Sequence, residues 1–322
     1  MLFDSHVDTP TQLVREGIDL GVDNPGTHVD FPKMKRADVG GAFFALYTPA
    51  EAAPDTATRM ALEMLSATYD CVEANADYAA LAFSPDEARE NARKGLISVF
   101  LGMENGAPIQ ESLSLLRTFY RLGVSYVTLT HNGDNALADS AAEGKRWNGL
   151  SPFGRQVVAE MNALGMMVDL SHASDKTFWD CLEVSKAPIV ATHSCCRALC
   201  GHRRNLSDDM LRALGEHGGY MGINFYPAFL SDSYEETLPG PVEIVNHIDH
   251  AVSLAGIDHV GIGTDYDGIE ITPAGMQDIS KTALVWAEMR RRGYTEQEIQ
   301  QISGLNLLKV WDRVIKCSEL VR

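Results

Sequence analysis

Seven ionisable residues stand directly behind short apolar runs. His6 and Asp8 follow the first of these in Phe3-Asp4-Ser5-His6-Val7-Asp8, where the period of two in an extended strand puts both on one face. Glu104 follows residues 98–103, His131 follows 127–130, His172 follows 168–171, His193 follows 190–192 and Asp265 follows 261–264. If these runs are parallel strands of a barrel, their C-terminal ends gather round one axis, where barrel enzymes keep their sites. Seven such groups would repel or neutralise one another without a cation, whereas imidazole and carboxylate are natural zinc ligands. Three carboxylates (Asp8, Glu104, Asp265) and three histidines (His6, His172, His193) exceed the needs of one tetrahedral zinc, so two ions sharing a carboxylate are expected. Two metals about 3.5–4 Å apart hold a bridging hydroxide at neutral pH and polarise a carbonyl, which is hydrolytic chemistry with water as the nucleophile.

The elements that must position these residues show the same pattern. Apolar runs suited to buried strands cover residues 1–3, 42–47, 96–101, 126–129, 166–170, 189–191, 220–223 and 260–262. Helical stretches with start signals lie between most of them. In Ser84-Pro85-Asp86-Glu87 the serine caps, the proline takes the first turn and the glutamate completes a capping box. Ser151-Pro152, Ser207, and Thr295 with Glu298 offer similar starts, residues 306–317 form a terminal helix, and residues 51–78 form a long helical insertion. Strand followed repeatedly by helix predicts a parallel sheet. About eight units predict closure into an α/β fold of the (β/α)8 TIM-barrel type with extra helices, an open doubly wound sheet being the rival. No repeat or Gly/Ser linker divides the chain, so residues 1–322 are expected to form a single domain.

Composition narrows the partners. Lys and Arg total 27 against 44 Asp and Glu, and the formal charge of -17 repels phosphate backbones and anionic lipid. Neither nucleic acid nor a membrane is an expected partner, since no apolar run approaches the roughly 20 residues a span needs. The start MLFDSHVDTP lacks the basic and apolar regions of a signal peptide, the end KCSELVR lacks an apolar anchor, and a cytoplasmic location is expected. Of six cysteines, Cys195, Cys196 and Cys200 crowd together without the spacing of a disulfide framework or a zinc finger.

Taken together, the segments around these residues resemble the membrane (renal) dipeptidase family, metallopeptidases among the amidohydrolase-like barrels, in a soluble bacterial-type form. The resemblance covers nearly the whole chain. It rests on DSHVDTP at 4–10, GMENG at 102–106, TLTHNGDN at 128–135, VDLSH at 168–172, THS at 192–194, HRRNLSDD at 202–209, NFY at 224–226 and GIGTDYDG at 261–268. It implies a dinuclear zinc dipeptidase acting on L,L and L,D dipeptides through a zinc-activated bridging hydroxide. Two Zn2+ per chain are implied, and such a site also accepts Mn2+ or Co2+. His6, Asp8 and Asp265 would bind one zinc, His172 and His193 the other, and Glu104 would bridge them. His131, not a ligand, would polarise the scissile carbonyl and steady the oxyanion. Arg204 would clamp the substrate carboxylate, Tyr226 would line the substrate pocket, and Asp265 would also relay the proton from water to the leaving amine. A homodimer is a further family expectation.

Blander readings compete. His6-Val7-Asp8 alone could be a turn with a capping acid, Glu104 a helix-start acid and His131 part of a polar turn; the ensemble favours function. His247 and His250 read as helix-packing residues, Asp267 as support beside a ligand, and the cysteine cluster as buried thiols. The rival functions are another amidohydrolase reaction on the same metals, either N-acyl amino acid deacylation or lactone opening, and a non-catalytic metal-binding barrel.

Overall fold

Every predicted apolar run becomes a strand because each is buried on both faces, as a parallel sheet wrapped in helices requires. The computed structural model describes residues 1–142 and 145–318; residues 319–322, part of the end read above as lacking an anchor, lie outside the described residues. The strands are β1 (Leu2–Val7), β2 (Val39–Tyr47), β3 (Ala79–Leu81), β4 (Ile97–Glu104), β5 (Val124–Thr128), β6 (Met167–Asp169), β7 (Ile189–Ser194), β8 (Tyr220–Ile223) and β9 (Val260–Ile262). All ladder pairings are parallel, in the order β1-β2-β4-β5-β6-β7-β8-β9. The short β3 pairs only with the first residues of β4 and stands outside this ring.

The eight ring strands form a nearly closed barrel with helices around it. Between β9 and β1 the join is made at the C-terminal ends, where Val7 bridges Tyr266 and the Asp8 amide donates to the Tyr266 carbonyl at 2.9 Å. The Asp265 amide donates to the His6 carbonyl at 3.1 Å. Deeper in the barrel, the Ser5 hydroxyl reaches the carbonyls of Thr192 (2.5 Å) and Ile262 (2.8 Å). Backbones approach so closely here that a Cβ on Gly263 would lie 1.8 Å from the Thr192 carbonyl oxygen.

Most of the predicted helix starts are present. Ser84, Ser151 and Ser207 accept from the amides of Glu87, Gly154 and Met210 and open the helices Pro85–Arg93, Pro152–Leu164 and Asp208–Glu216. Glu87 departs from the expected box: its carboxylate accepts from the amide of Phe83 at 2.6 Å, one residue earlier than the cap. Thr295 and Glu298 do form a capping box, and the insertion at 51–78 holds the helix Pro54–Ala74. The terminal helix Asn306–Lys316 sets Trp311 and Val314 into a second apolar cluster with Phe3, Phe43, Phe100, Tyr126 and Tyr220. That cluster fills the N-terminal end of the barrel, so a cavity can open only at the other end.

Candidate active site

Six strands deliver the seven predicted residues to that open end. His6 and His193 lie within β1 and β7, Glu104 is the last residue of β4, and Asp8, His131, His172 and Asp265 follow β1, β5, β6 and β9. Three overlapping groups form: His6, Asp8 and Glu104; His6, His193 and Asp265; and Glu104, His131 and His172, with ligand atoms within 4.8 Å of one another in each. Glu104 faces both halves of the cluster. Its Oε1 lies 2.9 Å from His172 Nε2 and 3.6 Å from His193 Nε2, while Oε2 lies 3.6 Å from His6 Nε2. His6 Nε2 is also 3.4 Å from Asp8 Oδ2 and 3.9 Å from Asp265 Oδ1.

Tautomers can be read from the outer hydrogen bonds. His172 Nδ1 lies 3.1 Å from Asn132 Oδ1, an acceptor, so Nδ1 carries the hydrogen and Nε2 a lone pair. Thr192 donates its one hydroxyl hydrogen to Asp169 at 2.7 Å and therefore accepts from His193 Nδ1 at 2.9 Å, which leaves His193 Nε2 bare as well. The two bare nitrogens face each other at 3.0 Å, with Glu104 Oε1 beside them. Three lone pairs so placed repel unless a cation lies among them. Burial, aided by Arg204, holds both imidazoles well below the usual histidine range, so protons do not supply that charge. His6 Nε2 and Asp8 Oδ1 are likewise buried without a hydrogen-bond partner. Burial and then Glu104 push Asp8 upward; burial pushes Asp265 upward against the pull of His6. For His6, burial is outweighed by Tyr126, Asp8 and Glu104, and its pKa is raised. This donor set fits divalent metal ions.

A supporting layer fixes the set. Tyr126 OH meets His6 Nδ1 at 2.8 Å, and Asn224 Nδ2 donates to Asp265 Oδ2 at 2.8 Å. Asp169 accepts from Thr128, Ser171 and Thr192 side chains at 2.5–2.7 Å and from the amides of Ser171 and Thr192, tying the tops of three strands. Asp4 does the same for β1 and the Asp265 loop, accepting from the Thr264 hydroxyl and amide and from the His6 amide. Asp265 and Asp267 both adopt left-handed backbone, φ 62° and 67°, and a Cβ on Gly268 would lie 2.0 Å from Asp8 Oδ2.

The cavity above these residues has a volume of about 740 Å³ and is lined by Asp8, Glu104, His131, His172 and Asp265 at its floor, with Arg204 and Tyr226 on one side. His131 is packed between the rings of Tyr47 (4.8 Å) and His172 (4.4 Å), and burial lowers its pKa. Arg204 is 4% exposed, its guanidinium is 5.2 Å above the Phe229 ring, and its Nε and Nη1 have no partner; Nη2 is 3.5 Å from the His193 carbonyl. Burial pushes its pKa down to about 10, so it stays cationic at neutral pH.

Residues outside the predicted set fall into two groups. Tyr47, Asn132, His202 and His28 line the cavity, although His28 has no strand-end position to mark it. Asp267 acts on His28, accepting from its amide at 2.6 Å. The remaining candidates stay structural: His247 accepts from the Cys196 amide at 3.0 Å, His250 pairs with Asp208 at 2.8 Å, and Cys195 and Cys196 are buried thiols whose pKa values burial raises.

Known proteins share this layout. The family model for membrane dipeptidase (peptidase family M19) matches residues 1–321. An uncharacterized dipeptidase of Schizosaccharomyces pombe is 37% identical over 303 residues, covering 89% of this chain and 72% of that protein. A metallopeptidase of Rhodobacter sphaeroides, liganded with a phosphinate mimic of L-Ala-D-Ala, superposes with a TM-score of 0.90 at 28% identity, covering 97% and 99% of the two chains. A solved dipeptidase of family M19 gives a TM-score of 0.91 at 29% identity over 97% and 98%.

Proposed function

The chain belongs to the membrane dipeptidase family, peptidase family M19, and on that premise we propose that it is a dinuclear zinc dipeptidase cutting L,L and L,D dipeptides. The observation that carries this reading is the pairing, in one cavity, of an unsatisfied histidine and carboxylate cluster with a buried, unpaired guanidinium. Hydrolysis needs the first, and a short peptide with a free carboxylate suits the second. A phosphinate dipeptide mimic bound to the Rhodobacter sphaeroides relative supports the substrate class.

His6, Asp8 and Asp265 would hold one ion, His172 and His193 the other, and Glu104, whose two oxygens face the two halves, would bridge them. When bound, the ions supply a Lewis acid for the scissile carbonyl and lower the pKa of water. Arg204 orients the substrate by its carboxylate, and its planar fork suits that group better than a neutral ring or lactone. His131, kept neutral by burial and lining the cavity, donates to the developing oxyanion. Asp265, pinned by Asn224 and pushed up by burial, takes the proton of the attacking water and passes it to the leaving amine. Tyr226 lines the substrate pocket beside Phe229.

The test is metal content measured alongside hydrolysis of L,L and L,D dipeptides, for the wild type and for Glu104→Ala and Asp265→Asn. Two ions per chain, with activity lost in both variants, is the expected result. A metal-loaded protein that spares every dipeptide while cleaving N-acyl amino acids or lactones would overturn the assignment.

A further inference from the structure

The cavity has a second wall that the reaction above does not use. It is built by the helix Thr9–Glu16, which begins directly behind Asp8, and by the loop carrying His28; Arg15 and His28 both line the cavity. Arg204 follows β7, three strands round the barrel from β1. A dipeptide held there by its carboxylate, with its peptide bond over the ligand cluster, therefore extends its N-terminal residue toward the β1 side.

Two donor groups on that wall are free of an acidic partner. His28 Nδ1 accepts from the Asp267 amide at 2.9 Å, which fixes the tautomer: Nε2 carries the hydrogen and is the ring atom left to act as a donor. The ring is 24% exposed, within the cavity lining. Asp267 does not offset this donor, because its carboxylate is already engaged by the His28 amide at 2.6 Å and the Thr9 hydroxyl at 2.7 Å, and it is almost fully buried. Arg15, exposed in the last turn of its helix, forms no ion pair among the described residues. Glu270 also reaches the cavity, which makes a lysine side chain the competing occupant.

We infer that Arg15 and His28 form the subsite for the side chain of the substrate's N-terminal residue, and that this subsite selects an acidic side chain, Asp or Glu. The inference rests on the dipeptidase reading and names its substrate class. A guanidinium and a fixed N–H donor give a carboxylate two charge-assisted or neutral hydrogen bonds, whereas an alkyl side chain makes neither.

The experiment compares kcat/KM of the metal-loaded full chain on Glu-Ala, Gln-Ala, Leu-Ala, Lys-Ala and Ala-Ala, for the wild type, Arg15→Met, Arg15→Lys and His28→Phe. Wild type is expected to favour Glu-Ala over Leu-Ala by about tenfold or more. Arg15→Met should lower the Glu-Ala to Ala-Ala ratio about tenfold through KM, with Arg15→Lys restoring most of it. His28→Phe should lower the ratio for both Glu-Ala and Gln-Ala. Melting temperature and metal content of each variant separate this from misfolding. A preference for Leu-Ala or Lys-Ala, or a ratio that neither variant moves, overturns the subsite. Hydrolysis of no dipeptide at all overturns the dipeptidase reading instead, and the two failures are told apart by whether Ala-Ala is cut.

Discussion

Replacing Arg204 by methionine separates a substrate clamp from a structural cation. In the folded chain the guanidinium is 4% exposed, with Nε and Nη1 unpartnered and Nη2 only 3.5 Å from a carbonyl. Burying an unpaired charge costs free energy, so an apolar side chain of similar length should leave stability unchanged or raise it. Binding should respond in the opposite direction. Removing one partner of a desolvated charge pair typically costs about 2–5 kcal/mol, which is about 30- to 5,000-fold in kcat/KM for a dipeptide. The assay compares a dipeptide with its C-terminal amide on both proteins, together with their melting temperatures. Wild type should favour the free acid strongly, and Arg204→Met should lose most of that preference while melting no lower. A variant that keeps the wild-type ratio of acid to amide would refute the clamp, and one that loses activity through a lowered melting temperature would make Arg204 structural.

Other outcomes follow from the same geometry. Tyr126→Phe removes the 2.8 Å contact to His6 Nδ1 and should weaken metal retention about 10- to 100-fold, read by competition with a chelator. Gly268→Ala drives a methyl group against Asp8 Oδ2 and should lower metal content on that half of the site with little change in circular dichroism. Metal present at about 100 times its dissociation constant stabilises the fold by about 2.7 kcal/mol. Because unfolding entropy for a chain of 322 residues is about 0.7 kcal/mol/K, chelation should then lower the melting temperature by roughly 4 °C for each ion. Burial raises Asp4 to about 6 against the pull of Thr264 and His6, so the folded state binds a proton that the unfolded state has lost. Its contribution is therefore complete below about pH 4 and is lost as pH rises through about 6, an effect on the order of 3 kcal/mol. The difference in urea stability between wild type and Asp4→Asn should show that slope, and an equal pH dependence in the two proteins would contradict it.

The barrel was legible because each ring strand is buried on both faces and so reads as a short apolar run, and because helices between them begin at side-chain caps. Strand β3 was not legible: Ala79-Ala80-Leu81 is three residues long and pairs only at the foot of β4, so it carries neither length nor apolar weight. The seven cluster residues were legible from their place at strand ends. His28 was not: Asp267-Gly268 reads locally as a turn, but its pairing with His28, 239 residues away, leaves no local sign.

The acids are the instructive case, because strand ends here carry more carboxylates than the candidate metal cluster contains. Asp4 and Asp169 lie in the same motifs as His6 and His172, and by sequence position they are as eligible as Asp8 or Glu104. What separates them is the supply of donors. Asp169 accepts five hydrogen bonds and Asp4 three, all from groups within the barrel top. Asp8 Oδ1 accepts none, and Glu104 is met by imidazole nitrogens rather than by hydroxyls or amides. A saturated buried carboxylate braces its neighbours, whereas one met only by imidazole and other carboxylates, with no hydroxyl or amide donor, is left to share a cation. Donors for Asp4 and Asp169 come from Thr128, Thr192 and Thr264, threonines on neighbouring strands or next to them. An acid whose oxygens are filled by threonine hydroxyls and backbone amides is therefore expected to brace, and one met only by histidine to bind, even where, as for Glu104, a threonine is its partner across the sheet.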